Sequence, residues 1–299
     1  MARHWCTLHT NVKLSLTRHK HAAPRPFLNI ASLRAHRPRR LPFADRLNDT
    51  ARNHFVACCG EFVGTFFFLL SALSGTQVAN TAPNPDNANE LNRLTYIALA
   101  FGMSLAVNAW VWFRVSGGLF NPAVTLGLYL TGFVPATRSL LLALSQLLGG
   151  TLASYAVLTI FPGPLAVTTS LSPSTSQLQA FLIETLLTTQ LLLAILLLAG
   201  EKHAATPLAP IGIGLSLFIA ELSGVAFTGG SLNPARSFGP AVVLGQFGAE
   251  HWVYWAGPAA GAVVAAGLYG GLKVLDYERA NPGQDGAGSG GVRLGDGGD

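Results

Sequence analysis

The sequence predicts an all-α membrane protein, with six transmembrane helices plus two re-entrant half-helices in an inverted repeat. Three observations carry this. From about residue 55 the chain is a succession of long apolar segments with few charges, and runs of 18 or more such residues read as membrane helices. Two stretches share one plan: Ser-Gly-Gly-Leu-Phe-Asn-Pro-Ala-Val-Thr-Leu-Gly at 116–127 and Gly-Gly-Ser-Leu-Asn-Pro-Ala-Arg-Ser-Phe-Gly-Pro at 229–240. A second pair, Glu61-x-x-x-Thr65 and Glu184-x-x-x-Thr188, recurs in the first and fourth spans.

Charge supports the membrane reading. Only 11% of residues are charged and 50% are apolar. The net charge of +5 is concentrated at the start, where Arg3, Lys13, Arg18, Lys20, Arg25, Arg34, Arg37, Arg39 and Arg40 all precede the first acid, Asp45. The excess is therefore a property of one tail and no sign of a nucleic-acid partner. Residues 1–50 read as a disordered basic arm suited to anionic lipid headgroups; an Arg-rich, acid-poor transit peptide is the competing reading. The first apolar run comes too late for a secretory signal. His4, His9, His19, His21 and His36 lack paired ligand spacing, and Cys6, Cys58 and Cys59 offer neither a disulfide framework nor a metal site. No metal or cofactor is expected.

Residues 51–275 are expected to form one membrane domain. The first span covers about 55–73, followed by a polar loop over 74–92. The second covers 94–113 and leads into the first Asn-Pro-Ala stretch. The third covers 140–160, with a Pro- and Ser/Thr-rich loop after it. The fourth, 178–198, closes on Glu201-Lys202-His203. The fifth, 211–226, leads into the second Asn-Pro-Ala stretch, and the sixth covers 252–272. Residues 276–299, rich in Gly and Asp, read as a second disordered tail.

Each repeat, 55–160 and 178–272, thus holds three spans and one apolar segment too short to cross alone. An odd number of spans forces the second repeat to enter with opposite orientation, so the short segments meet near the midplane as half-helices. Arg114, Arg138, Lys202, Lys273 and Arg279 fall on the side of the N-terminus, against Asp86, Glu90, Arg93 and Glu250 opposite. The positive-inside rule then makes both termini cytoplasmic.

Irregular backbone at this depth is tolerated only when buried in protein or lining a water-filled path. Asn suits a helix cap and Pro the first helical position. Asn121 and Asn233 are therefore expected to cap two opposed half-helices, pointing amide donors into a lumen whose positive dipole ends disfavour cations. The paired glycines allow tight turns and are expected to expose carbonyls along the same path. Glu61 and Glu184 read as supports that accept hydrogen bonds from loop N–H groups, in preference to a proton relay. Arg236, matched by Val124 in the first copy, reads as a lumen-facing cation barrier.

These motifs together resemble the aquaporins of the major intrinsic protein family, over about residues 55–273, in a version (Ser-Gly-Gly-Leu-Phe) similar to fungal members. The resemblance implies an aquaporin-like, right-handed six-helix bundle assembled as a homotetramer, each subunit holding one pore for water. It implies that Asn121 and Asn233 orient permeating water and that Arg236 and Phe101 belong to a narrower outer filter. Ser237, Ala241 and Tyr254-Trp255 resemble the water-selective branch. Two departures stand out. Glu221 occupies a filter place usually held by histidine, and Gly230 a place often held by Cys, so a slightly wider constriction and resistance to mercurials are expected. Leu119 stands where many members carry His, which removes gating through that group.

The resulting expectation is a passive, osmotically driven water channel, not an enzyme, in the plasma membrane. A broader pore for glycerol, peroxide or other small neutral solutes is the alternative. A secondary transporter would also use inverted repeats, but only Glu221 could serve as its ion-coupling group. A non-conducting structural protein is disfavoured because Asn121, Asn233 and Arg236 are all intact.

Overall fold

A computed structural model describes residues 48–81 and 90–280. Both predicted tails lie outside the described residues, apart from residues 48–50, where α1 already begins at Asp49, and a short piece after the last helix. Among the described residues the regular secondary structure is all helical, with principal helices α1 Asp49–Thr81, α2 Glu90–Trp112, α3 Pro122–Leu130, α4 Ala136–Ile160, α5 Gln177–Ile195, α6 Ala209–Thr228, α7 Pro234–Leu244 and α8 Val253–Val274. Among the described residues, five helical stretches are long and apolar enough to cross a membrane. The sixth span, α8, is 22 residues long but diluted by Gly257, Gly261, Gly267, Gly270 and Gly271. It crosses the bundle as predicted all the same.

The second repeat retraces the packing of the first. Helix α1 packs on α2 and α4, as α5 packs on α6 and α8, and α2 meets α6 across the junction of the repeats. Each half-helix packs largely on the last span of the other repeat, α3 on α8 and α7 on α4. Small residues allow these crossings. A Cβ on Gly261 would stand 2.6 Å from the Thr185 carbonyl, and one on Gly102 would stand 2.8 Å from that of Gly214. Close backbone approach through small residues is the usual solution where lipid offers helices no hydrophobic gain from association.

Two expectations need correction. Of the polar loop predicted over 74–92, residues 74–81 and 90–92 are helical, because α1 continues for two further turns and α2 starts at Glu90. Those turns are polar in sequence but have partners in the loop after α4. The Gln77 side chain donates to the Pro164 carbonyl and accepts from the Ala166 N–H, both at 2.8 Å, and Asn80 donates to the Ala166 carbonyl at 2.6 Å. At the other end, Tyr277–Arg279, assigned to a disordered tail, form one 3₁₀ turn.

One end of the bundle carries the start of α1, the ends of α2 and α5 and the end of α8; this is called the near end below. Arg138 meets His54 there, Lys202 lies 5.3 Å from the Phe113 ring centroid, and Lys273 pairs with Glu201 and Glu278. Glu90 and Arg93 pair at the far end.

Candidate functional site

The two Asn-Pro-Ala stretches meet inside the bundle. Asn121 and Asn233 are extended (φ −151° and −150°), and each caps its half-helix. Their side-chain oxygens accept from the N–H groups of Ala123 (2.8 Å) and Ala235 (2.9 Å). Each amide nitrogen then reaches across to the other loop. Asn121 Nδ2 donates to the Leu232 carbonyl at 2.8 Å, and Asn233 Nδ2 donates to the Phe120 carbonyl at 2.9 Å. An amide nitrogen carries two hydrogens, so one on each Asn is used in this exchange and one is left over. The expectation that both pointed wholly into a lumen is corrected to that extent.

The two residues whose carbonyls are held this way have unusual backbones. Phe120 (φ 53°) and Leu232 (φ 50°) lie in the left-handed region, where bulky side chains are rarely found. Their N–H groups are fixed by the paired glutamates. Glu61 accepts from Leu119 (3.1 Å) and Phe120 (2.7 Å); Glu184 accepts from Ser231 (3.0 Å) and Leu232 (2.7 Å). Gln146 donates to Glu61 at 2.8 Å, and the Thr228 hydroxyl donates to Glu184 at 2.7 Å. Both carboxylates are fully buried. Each strained residue is thus gripped at both ends, the N–H by its own repeat and the carbonyl by the other. Strain of this kind persists where the surroundings over-determine it.

Arg236, in the first turn of α7, is 2% exposed and donates to three carbonyls: Val167 (2.6 Å), Gly230 (2.9 Å) and Gly229 (3.3 Å). Arg236 thus takes one of the two acceptor places on each carbonyl of the paired glycines of the second copy, which the sequence suggested would be open along the path. Its guanidinium carbon lies 5.0 Å from the centroid of the Phe101 ring, a cation–π geometry.

Two cavities converge on this arginine. One, of about 340 Å³, opens at the near end past Arg138 and Lys202 and is lined deeper by Phe101, Asn121, Asn233 and Arg236. The other, of about 280 Å³, opens at the far end among Thr76, Asn80, Glu90 and Arg93, and also reaches Arg236. On α6, Ile213 and Leu217 line the first cavity and Val225 the second. Glu221 lies between them on the same i, i+4 row. It is fully buried, and neither carboxyl oxygen has a hydrogen-bond partner.

Gly230 (φ 62°) packs directly on this carboxyl: a Cβ built on it would overlap Glu221 Oε2. The space expected to widen the constriction at Gly230 is thus filled by Glu221. Sequence reasoning singled out Asn121, Asn233, Arg236, Phe101, Glu221, Gly230, Glu61 and Glu184 but missed Gln146, Thr228 and Val167, the last of which contributes a backbone carbonyl that any residue could supply.

The Major intrinsic protein family profile matches residues 50–269. The chain belongs to the major intrinsic protein family. Members of this family are channels and not enzymes. The chain is 55% identical over 245 residues to Aquaporin-7 of Botryotinia fuckeliana (strain B05.10), covering 80% of this chain and 54% of that protein. It is 51% identical over 237 residues to Aquaporin-8 of the same fungus, covering 78% and 73%. Probable aquaporin-3 of Gibberella zeae (strain ATCC MYA-4620 / CBS 123657 / FGSC 9075 / NRRL 31084 / PH-1) is 49% identical over 238 residues, with 78% and 82% covered. The chain spans about half the length of several curated relatives it matches. The aquaglyceroporin crystal structure from Plasmodium falciparum shares the fold, with a TM-score of 0.66 at 23% identity, covering 75% of this chain and 99% of that one.

Proposed function

We infer that this major intrinsic protein is a passive water channel that carries osmotically driven flow and excludes ions and protons. The carrying observation is that two cavities entering from opposite ends meet at Arg236, with Asn121 and Asn233 lining the inner one. A water molecule moving along this path meets the spare Asn hydrogens where two half-helix N-termini converge. Positive dipole ends and a fixed guanidinium oppose a cation and leave a neutral molecule unhindered. Phe101 and Arg236 form the narrow place, and Glu61 and Glu184 hold the loops that build it. The glycerol-passing alternative loses its main support, because Glu221 fills the space beside Gly230.

Apolar side chains on α4 face outward, among them Leu144, Leu148 and Tyr155. They suit lipid or a neighbouring copy, in keeping with a homotetramer in the plasma membrane with cytoplasmic termini. Native mass spectrometry in detergent tests the assembly; a monomer alone would refute it.

Stopped-flow shrinkage of proteoliposomes tests the main reading. Fast water flux with low activation energy and glycerol flux at the level of empty vesicles is expected. Water flux no faster than in empty vesicles would overturn it.

A further inference from the structure

The near mouth of the first cavity carries charge that the passage of a neutral solute does not use. Arg138 and Lys202 both line it, and among the described residues no carboxylate does. The two cations belong to adjoining segments of the rim. The Phe133 ring packs on Gly200, with 3.1 Å from its Cζ to a Cβ built there, which brings the start of α4 beside the chain leaving α5.

Neither cation is neutralised by a described residue. Arg138 Nε donates to His54 Nδ1 at 3.4 Å, and Lys202 Nζ donates to the Ala199 carbonyl at 2.6 Å while lying over the Phe113 ring. An imidazole that accepts through Nδ1 is neutral, as is a carbonyl. These partners hold the two side chains in place and leave their charge standing. The described carboxylates of this end are engaged with other cations. Asp49 pairs with Arg52, Glu201 and Glu278 with Lys273, and Asp276 with Arg279.

Donor capacity is left over as well. His54 takes one of the five guanidinium N–H groups of Arg138, and Ala199 one of the three on the Lys202 ammonium. A guanidinium fork beside a compact ammonium matches a tetrahedral oxyanion, since the fork takes two oxygens and the ammonium a third. A phosphate monoester carries about −1.5 to −2 charges at neutral pH, which two cations balance. A single carboxylate would leave one of them unmatched. Exclusion of cations does not require this pair, because Arg236 already stands at the constriction.

We propose that the near mouth is a binding site for phosphate monoesters, held between Arg138 and Lys202, and that its occupant obstructs the entrance to the cavity. A phosphorylated lipid headgroup and a free phosphate ester share this chemistry. The near end is the end read above as cytoplasmic, where anionic headgroups are displayed. The obstruction rests on the channel reading above, whereas the binding does not.

Binding is measured by calorimetry on the full-length protein in detergent, titrated with inositol trisphosphate or with a short-chain phosphoinositide. Saturable binding is expected, weakening as salt is added. It should fall about tenfold in Arg138→Gln and in Lys202→Gln, the scale of one lost charge-assisted bond. Lys202 is exposed, so its variant keeps the test decisive even if Arg138→Gln does not fold. No saturable binding of either probe, or binding by the variants equal to wild type, would overturn the site.

Osmotic water flux is then compared in proteoliposomes, each protein against its own rate without probe. Slowing by soluble trisphosphate supports the site with a free ester as occupant. Slowing only when the vesicles contain the phosphoinositide supports it with a headgroup. Equal slowing by phosphatidylserine would reduce the effect to surface charge and overturn the site. Binding with unchanged flux would overturn the obstruction. Wild-type flux no faster than in empty vesicles would remove the channel reading and the obstruction with it, while calorimetry alone decides the binding.

Discussion

Asn121 and Asn233 each hold the backbone of the other's loop: Asn121 binds the Leu232 carbonyl and Asn233 the Phe120 carbonyl, at 2.8 and 2.9 Å. Each asparagine therefore has three tasks. Its oxygen caps a helix, one amide hydrogen ties the repeats together, and the second hydrogen is left for the lumen.

The glutamates complete this crossing. Glutamine at 61 or 184 would turn one of two acceptor oxygens into a donor facing a backbone N–H. Each substitution should lower folding stability by about 1–3 kcal/mol, the cost of a buried unsatisfied group. Thermal unfolding in detergent micelles measures it, and melting curves that match wild type for both variants would disprove the supporting role.

Helix crossings give a sharper steric contrast. A Cβ on Gly261 would stand 2.6 Å from the Thr185 carbonyl and 2.7 Å from Thr188 Cβ, whereas one on Gly267 meets nothing within 4 Å. Gly261→Val should separate α8 from α5 and abolish the folded peak in fluorescence-detected gel filtration, while Gly267→Val should leave it intact. Equal behaviour of the two would contradict the packing argument.

The described thiols stand away from the path. Neither Cys58 nor Cys59 lines either cavity, and Cys59 is exposed on the outside of α1. Mercuric chloride should leave wild-type water flux unchanged in osmotic shrinkage; block comparable to closing the pore would place a reactive thiol where none is expected. Gly230→Cys should lose flux before any mercurial is added, because its Cβ overlaps Glu221 at a backbone angle unfavourable to a side chain.

At the near end, Glu201 ties the end of α5 to α8. The Tyr269 hydroxyl donates to it and Lys273 lies 3.0 Å away; these two partners hold its carboxyl below the usual range. A carboxylate whose value is lowered on folding adds stability above its unfolded value, near 4.3. That stability is lost as pH falls through the lower folded value. Hydrogen-exchange protection factors over residues 196–206 should therefore fall on acidification below about pH 4, and Glu201→Gln should flatten the response. A wild-type profile unchanged down to pH 3 would refute the tie.

Much of this was legible because symmetry repeats a message. Two copies of Asn-Pro-Ala, each paired with a Glu-x-x-x-Thr, identify opposed half-helices and their supports from spacing alone. The backbone exchange was not legible, since it joins residues more than 110 positions apart and uses carbonyls, which carry no residue signature. The left-handed angles at Phe120 and Leu232 were hidden for the same reason: nothing in Phe or Leu favours that conformation, and only grips from both sides sustain it. The far end of α1 looked like loop because its polar residues find partners about 87 positions later.

The packing of each half-helix on the last span of the opposite repeat has a consequence for synthesis. A ribosome delivers α3 long before α8, so the first re-entrant segment must wait in the membrane without its main support. Neither loop reaches its final form until translation has passed Val274, which makes the last helix the closing event of biogenesis. A stalled nascent chain ending before Val253 should leave residues 116–130 open to protease, and protection there would show that the first repeat matures alone.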